Sequence, residues 1–91
     1  MVYELHELDR PKKFFRKHKN DKILLFRLTK KYHEILENPY RRDFIQLSSQ
    51  SCPKCQRARV GDYRIVFYVH DDKKLVEIID ILPRSDDYQV Y

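Results

Sequence analysis

The sequence predicts an α+β fold in which two helices pack on one face of a mostly antiparallel four-stranded sheet. Three observations predict it: an N-terminal segment of alternating apolar residues, two segments of helical character, and a C-terminal half rich in β-branched and aromatic residues. The chain has 91 residues, so we expect one domain covering residues 1–91. A short turn or helix is expected after the last strand.

The N-terminal half begins with a predicted strand and a predicted helix. Residues 2–7 alternate in part between apolar and polar side chains, as in a strand with one buried face. Asp9 then supplies an N-cap residue, and Pro11 suits the first turn of a helix. The first helix is therefore expected over residues 10–19.

A second helix is expected over residues 22–37. Its apolar residues recur at steps of three and four and form one stripe: Leu25, Leu28, Tyr32, Ile35 and Leu36. Asn38 is expected to end the helix, since asparagine tolerates the left-handed conformation and a residue before proline avoids helical dihedral angles. Residues 40–54 are expected to be a connecting segment.

Three antiparallel strands are expected over residues 56–60, 63–69 and 75–82, separated by short turn signals. The only glycine, Gly61, lies between the first two of these strands. A two-residue hairpin loop needs a positive φ angle, which glycine adopts at low steric cost. The turn therefore predicts that Val60 pairs with Tyr63.

This register predicts an arginine cluster. It places Arg59 opposite Arg64 and Arg57 opposite Val66, and alternation then puts all three arginines on one face of the sheet. Guanidinium groups bind phosphate bidentately and stay protonated, so RNA is a natural ligand. The alternative is that Asp80 or Glu77 on the next strand neutralises the arginines as surface ion pairs.

The charge distribution also favours a polyanionic partner. The formal net charge is +5, and residues 10–31 contain ten basic residues and one acidic residue, Asp21. Such a basic face attracts nucleic acid, although it is also common on solvated helices. The sequence shows neither a signal peptide nor a long apolar span, so we expect a cytoplasmic protein that does not contact membranes.

Two further residue pairs each allow more than one interpretation. Cys52 and Cys55 have the spacing of zinc ligands, but a second pair of cysteines is lacking, so we expect two separate thiols, no metal and no cofactor. Arg84 and Tyr88 lie four residues apart, which places both on one side of a helical turn. Tyr88 could contact a base or take part in proton transfer, or could simply pack the C-terminal tail onto the sheet.

Three stretches of sequence resemble the RelE/ParE superfamily of toxin–antitoxin toxins. They are Asn38-Pro39-Tyr40, the segment Arg59-Val60-Gly61-Asp62-Tyr63-Arg64-Ile65-Val66-Phe67, and Arg84 through Tyr88. The resemblance implies a RelE-like toxin: a ribosome-dependent endoribonuclease that cuts messenger RNA without a metal and is held inactive by a RelB-like antitoxin. Its implied partners are thus the antitoxin, the ribosome and messenger RNA.

The resemblance also implies which residues act. By position, the catalytic residues would be Arg57, Arg59, Arg64, Arg84 and Tyr88, and RNA would be bound by Lys54, Arg57, Arg59 and Arg64. Where RelE-like members often have a further lysine, this chain has Cys55. Lys54 could substitute, although alternation places Lys54 on the opposite face from Cys55, and His70 is the only histidine or glutamate that alternation places on the arginine face as a general base.

Two other functions remain open at this point. A ParE-like toxin on the same scaffold would inhibit DNA gyrase without nuclease chemistry. A module with decayed catalytic residues would only bind nucleic acid or antitoxin. The pair Arg84 and Tyr88 favours the nuclease over the gyrase inhibitor.

Overall fold

The computed structural model describes residues 3–46, 52 and 54–84, and within these it shows two helices and a five-stranded sheet. In chain order the elements are β1 (Glu4–Glu7), α1 (Asp9–Lys17), α2 (Lys22–Glu37), β2 (Ile45–Gln46), β3 (Gln56–Val60), β4 (Tyr63–His70) and β5 (Leu75–Pro83). The strand order is β1-β5-β4-β3-β2, with β1 parallel to β5 and the other pairs antiparallel. The α+β class is confirmed. The strand count was predicted wrongly, because β2 lies in the segment expected to be a connection.

The first helix differs from the prediction at its start. Leu8 is the N-cap residue of α1 and provides no side-chain cap, while Asp9 is already helical. The prediction that Asp9 caps the helix is therefore wrong. Its carboxylate instead lies in the first turn, where negative charge interacts favourably with the helix dipole.

The second helix has the predicted bounds. The Asp21 carboxylate caps it by accepting a hydrogen bond from the Leu24 backbone N–H at 3.1 Å. At the other end Asn38 has φ −154° and ψ 92°, an extended conformation rather than the predicted left-handed one. The restriction that Pro39 places on its preceding residue accounts for this end. Within the described residues, no helix is long and apolar enough to cross a membrane.

The main core lies between α2 and one face of the sheet. Its buried residues are Leu24, Leu28, Tyr32, Ile35, Leu36, Phe44, Ala58, Val60, Ile65, Phe67, Val76, Ile78 and Ile81. Tyr32 also donates a hydrogen bond to Glu7 Oε2 at 2.8 Å, which joins α2 to β1. The helices thus cover one face, and the other face of the sheet is left to form the site.

The outer edge of β5 is only half covered. The short β1 pairs with Leu75 through Ile78 and ends there. Beyond it, the buried Asp80 accepts hydrogen bonds from the Ile81 backbone N–H at 2.9 Å and from Arg10 Nη1 at 3.0 Å. Among the described residues, Asp80 and Arg10 of α1 rather than a strand thus meet this part of β5.

Candidate nucleic-acid interface

A groove of about 620 Å³ lies on the sheet face away from the helices. Its lining residues are Asp43, Ile45, Arg57, Arg59, Gly61 and Arg64. Three of these six residues are arginines, which come from the adjacent strands β3 and β4. The groove therefore concentrates positive charge on a surface open to a ligand.

The hairpin between β3 and β4 creates this arrangement. Gly61 has φ 57°, and Val60 pairs with Tyr63, as predicted. Arg59 then lies opposite Arg64, and Arg57 lies opposite Val66. The predicted placement of the three arginines on one face is confirmed.

The three arginines differ in exposure. Arg64 is 7% exposed and donates from Nη1 to the Tyr63 carbonyl oxygen at 3.3 Å. Arg57 is half-buried and Arg59 is exposed. Because a buried guanidinium has fewer accessible orientations than an exposed one, Arg64 is the better positioned of the three to hold an anion in a fixed geometry.

Glu77 and Asp80 of β5 are the two acids that the sequence offers as alternative partners of the arginines. Glu77 lies opposite Tyr68 and contacts the rings of His6 at 3.4 Å and His70 at 3.2 Å, not an arginine. Asp80 lies opposite Val66 and binds Arg10. Glu77 therefore does not neutralise the groove.

His70 is tied to this same acid. Its ring nitrogen Nε2 lies 3.2 Å from Glu77, and its ring packs against Tyr68 with centroids 4.6 Å apart. It ends β4 at the opposite end from the Gly61 turn and does not line the groove. The structure does not bring His70 to the arginines as a general base.

The remaining residues predicted to form the site are Lys54, Arg84 and Tyr88. Lys54 lines a separate depression of about 450 Å³ beside Tyr40 and Tyr68, and not the arginine groove. The Arg84 backbone N–H donates to the Asp62 carbonyl oxygen at 2.8 Å, which holds Arg84 next to the hairpin turn. Tyr88 lies outside the described residues.

The prediction of two separate thiols is wrong, because Cys52 and Cys55 form a disulfide. The Cys55 backbone N–H donates to the Cys52 carbonyl oxygen at 3.2 Å, and this turn brings the two Cα atoms to 5.3 Å. Cys55 is buried with Val66, and Ile79 and Leu82 pack against them. The disulfide thus belongs to a small apolar cluster beside the groove.

Sequence reasoning missed Asp43 as a groove residue. It precedes β2, whose pairing places Ile45 opposite Arg57. Asp43 itself lies in a turn, in which the Phe44 backbone N–H donates to the Arg41 carbonyl oxygen at 3.0 Å, and it lines the groove with the arginines. A two-residue strand has no periodic signal, so this position could not be read from the sequence.

The comparison with protein families identifies the class. The family model described as "ParE toxin of type II toxin-antitoxin system, parDE" matches residues 5–88. The chain therefore belongs to the RelE/ParE family and is a toxin of a type II toxin–antitoxin system. No curated protein sequence matches this chain.

Two solved structures are similar to this chain in both sequence and fold. The Escherichia coli toxin RelE, as a double arginine-to-alanine mutant in the free state, is 28% identical with a TM-score of 0.75, and the match covers 97% of this chain and 90% of RelE. An archaeal RelE–RelB complex from Pyrococcus horikoshii is 26% identical with a TM-score of 0.54, covering 92% of this chain and 97% of that chain.

A third solved structure shares the fold alone. It is the RelBE2 toxin–antitoxin complex from Mycobacterium tuberculosis, which is 19% identical with a TM-score of 0.74, covering 92% of this chain and 100% of that one. The likeness to RelE structures extends over nearly the whole chain, so the groove lies on a RelE-like scaffold.

Proposed function

We propose that this toxin is a ribosome-dependent endoribonuclease that inhibits translation by cutting messenger RNA. The observation that carries the proposal is the groove in which Arg57, Arg59 and Arg64 line one face of the sheet. Similarity to RelE supports the RelE-like branch of the family. Action on ribosomes would place the toxin in the cytoplasm, and we propose that residues 1–91 act as one domain.

The proposed reaction is an internal transesterification of RNA. A ribose 2′-hydroxyl attacks its adjacent phosphate, the P–O5′ bond breaks, and the products carry a 2′,3′-cyclic phosphate and a 5′-hydroxyl. Arg57, Arg59 and Arg64 would hold the phosphate and stabilise the charge that develops on its oxygens. The ribosome would contribute by aligning the 2′-hydroxyl with the phosphorus atom.

Arg84 and Tyr88 complete the proposed set. The hydrogen bond from Arg84 to Asp62 places Arg84 beside the hairpin turn, at the same end of the sheet as Arg59 and Arg64. Its guanidinium could therefore reach a phosphate neighbouring the scissile one. Tyr88 is proposed from family resemblance alone, as is the RNA-binding role of Lys54.

The partner that restrains the toxin is proposed to be a RelB-like antitoxin. Two of the similar solved structures are complexes of a RelE toxin with its antitoxin. The basic surface would attract an acidic segment of such a partner.

The test is cleavage of a message on programmed ribosomes, read by mapping the cut ends. Wild-type protein is expected to cut within the decoding site. Arg64→Ala and Arg84→Ala are each expected to reduce the rate sharply, whereas Arg16→Ala, an exposed arginine of α1, serves as the matched control and retains it. Because Arg64 is buried, Arg64→Lys is included, and thermal melting verifies that each variant is folded.

Inhibition of DNA gyrase is the second candidate function. The family model that matches residues 5–88 is named for ParE, which favours this candidate. Under it, translation continues and a gyrase supercoiling assay shows inhibition instead. A chain that affects neither ribosomes nor gyrase would be the third possibility, a module that only binds nucleic acid or antitoxin.

A further inference from the structure

We propose that Asp43 is the general base that takes the proton from the attacking 2′-hydroxyl. This inference rests on the proposed nuclease function and identifies the proton acceptor, a role that the arginines cannot fill. Arginine stays protonated under all ordinary conditions, so Arg57, Arg59 and Arg64 can stabilise charge but cannot accept a proton.

Position is the first reason to choose Asp43. Asp43 lies in the turn just before β2, where the Phe44 backbone N–H donates to the Arg41 carbonyl oxygen at 3.0 Å. Asp43 lines the same groove as the arginines. A phosphate held by Arg64 would therefore have a carboxylate on one side of it.

Chemistry is the second reason. Among the six residues that line the groove, Asp43 carries the only carboxylate, and histidine and lysine are lacking there. Cys55, at the position of the expected family lysine, is committed to the disulfide with Cys52. Within the described part of the chain, Asp43 is thus the one groove residue whose side chain can act as a proton acceptor.

The surroundings of Asp43 leave it accessible to solvent and in contact with a cation. Its side chain is 57% exposed, and its Oδ1 lies 3.3 Å from Arg41 Nε. Arg41 is itself held by Glu34 of α2, at 2.5 Å, and Lys31 lies 3.4 Å from the same Glu34. Arg41 therefore orients the carboxylate, and the second oxygen, Oδ2, can accept the proton.

The proton balance of the reaction is simple. Asp43 takes the 2′-hydroxyl proton as O2′ bonds to phosphorus, and the departing O5′ receives a proton from solvent. The protonated carboxyl then returns its proton to water. The charged groups near Asp43 are Arg41, which contacts it on its own segment, and Arg57, Arg59 and Arg64, which line the same groove from β3 and β4.

The experiment compares single-turnover cleavage on programmed ribosomes for wild type, Asp43→Asn and Asp72→Asn. Asp72 is an exposed aspartate in the β4–β5 turn and is the matched control. Asp43→Asn is expected to slow cleavage about 100-fold or more, the usual contribution of a general base, with ribosome binding unchanged. Asp72→Asn is expected to cut at the wild-type rate.

The pH dependence separates a base from a merely structural carboxylate. The wild-type rate should fall as the pH drops and the base becomes protonated, and Asp43→Asn should lose that acidic limb. Asp43→Glu should restore part of the rate together with the limb. Urea unfolding of each variant, at unchanged midpoint, verifies that the fold is intact.

The outcomes distinguish the two proposals. If wild type cuts and Asp43→Asn cuts equally fast with the same pH profile, or faster because a repulsive charge has gone, Asp43 is not the base. If wild type itself leaves messages intact on ribosomes, the nuclease function is wrong, whatever Asp43 does.

Discussion

Arg59 and Arg64 lie directly opposite each other across β3 and β4, on the sheet face that the helices leave open. Like charges in this relationship oppose folding by roughly 0.2 to 1 kcal/mol. Both arginines line the groove on this face. Two adjacent positive charges are the arrangement expected of a site that binds anions.

Removal of one of these two charges should separate stability from activity. Arg59→Ala is expected to leave the free energy of unfolding unchanged or to raise it by up to about 1 kcal/mol, because the repulsion on Arg64 disappears. Urea unfolding measures this effect, and the cleavage assay should show lower activity for the same variant. Arg16→Ala, which removes an exposed arginine of α1, is the control. A loss of more than about 1 kcal/mol in Arg59→Ala would contradict the interpretation.

The Gly61 turn should tolerate side chains poorly. Gly61 has φ 57°, and a Cβ built there would lie 3.2 Å from Arg27 Nη1. Gly61→Ala is expected to cost about 1 to 2 kcal/mol of stability, since the left-handed conformation is unfavourable for alanine. Chemical denaturation measures the cost. Arg27→Ala in the same background tests its origin: a full recovery would show that the cost came from crowding by Arg27 and not from the backbone.

A cluster of two tyrosines and one aspartate should make stability depend on pH at both extremes. Tyr40 and Tyr3 donate hydrogen bonds to the Asp71 carboxylate, which lowers the pKa of Asp71 below its usual 3.8. Partial burial and the same hydrogen bond raise the pKa of Tyr40 from 10.0 to about 12. The lowered pKa stabilises the fold above about pH 4, a contribution lost as the pH falls through the native pKa of Asp71. The raised pKa stabilises it below pH 10, a contribution lost as the pH rises towards 12.

Melting temperatures across the pH range test this cluster. The double variant Tyr3→Phe/Tyr40→Phe should lose stability near neutral pH and show a flatter profile at both ends. Tyr63→Phe is the control, because the Tyr63 hydroxyl makes no hydrogen bond with a described residue, while its ring packs on Phe14. Equal profiles for wild type and the double variant would contradict the assignment.

Reduction of the disulfide should weaken the fold only moderately. Cys52 and Cys55 close a loop of a few residues, so the chain-entropy gain is roughly 2 kcal/mol. The unfolding midpoint in urea, measured with and without a dithiol reductant, gives the difference, and Cys52→Ala/Cys55→Ala should not respond to the reductant. Alkylation of the untreated protein followed by mass spectrometry gives an independent result: modified cysteines would show that the disulfide is absent.

Local signals made most of the fold predictable. The two-residue turn at Gly61 determined the pairing of Arg59 with Arg64, because a hairpin of that length has one register. The regular apolar stripe and the end at Asn38 likewise defined α2. For the arginine face, the turn at Gly61 and the two-residue alternation of side chains along a strand were sufficient, so this face could be predicted from the sequence alone.

Features that depend on contacts between distant segments could not be predicted. β2 has only two residues and forms because β3 offers it an edge, so Asp43 was not recognised as a groove residue. The position of Asp80 opposite Val66 depends on a register shift next to Phe67, which leaves Ile79 as an extra residue in β5.

The disulfide is a local feature that was also not predicted. It depends on the turn that brings Cys52 to Cys55. Spacing alone is equally compatible with free thiols.

The way β5 ends has a consequence for how this toxin behaves at high concentration. Past the end of β1, the Ile81 N–H is already bonded to Asp80, and Pro83 has no N–H to donate. A strand edge whose backbone groups were open to solvent would recruit strands from other molecules and grow into aggregates. The carboxylate and the proline make this border a poor template, so overexpressed toxin is protected from self-assembly along β5.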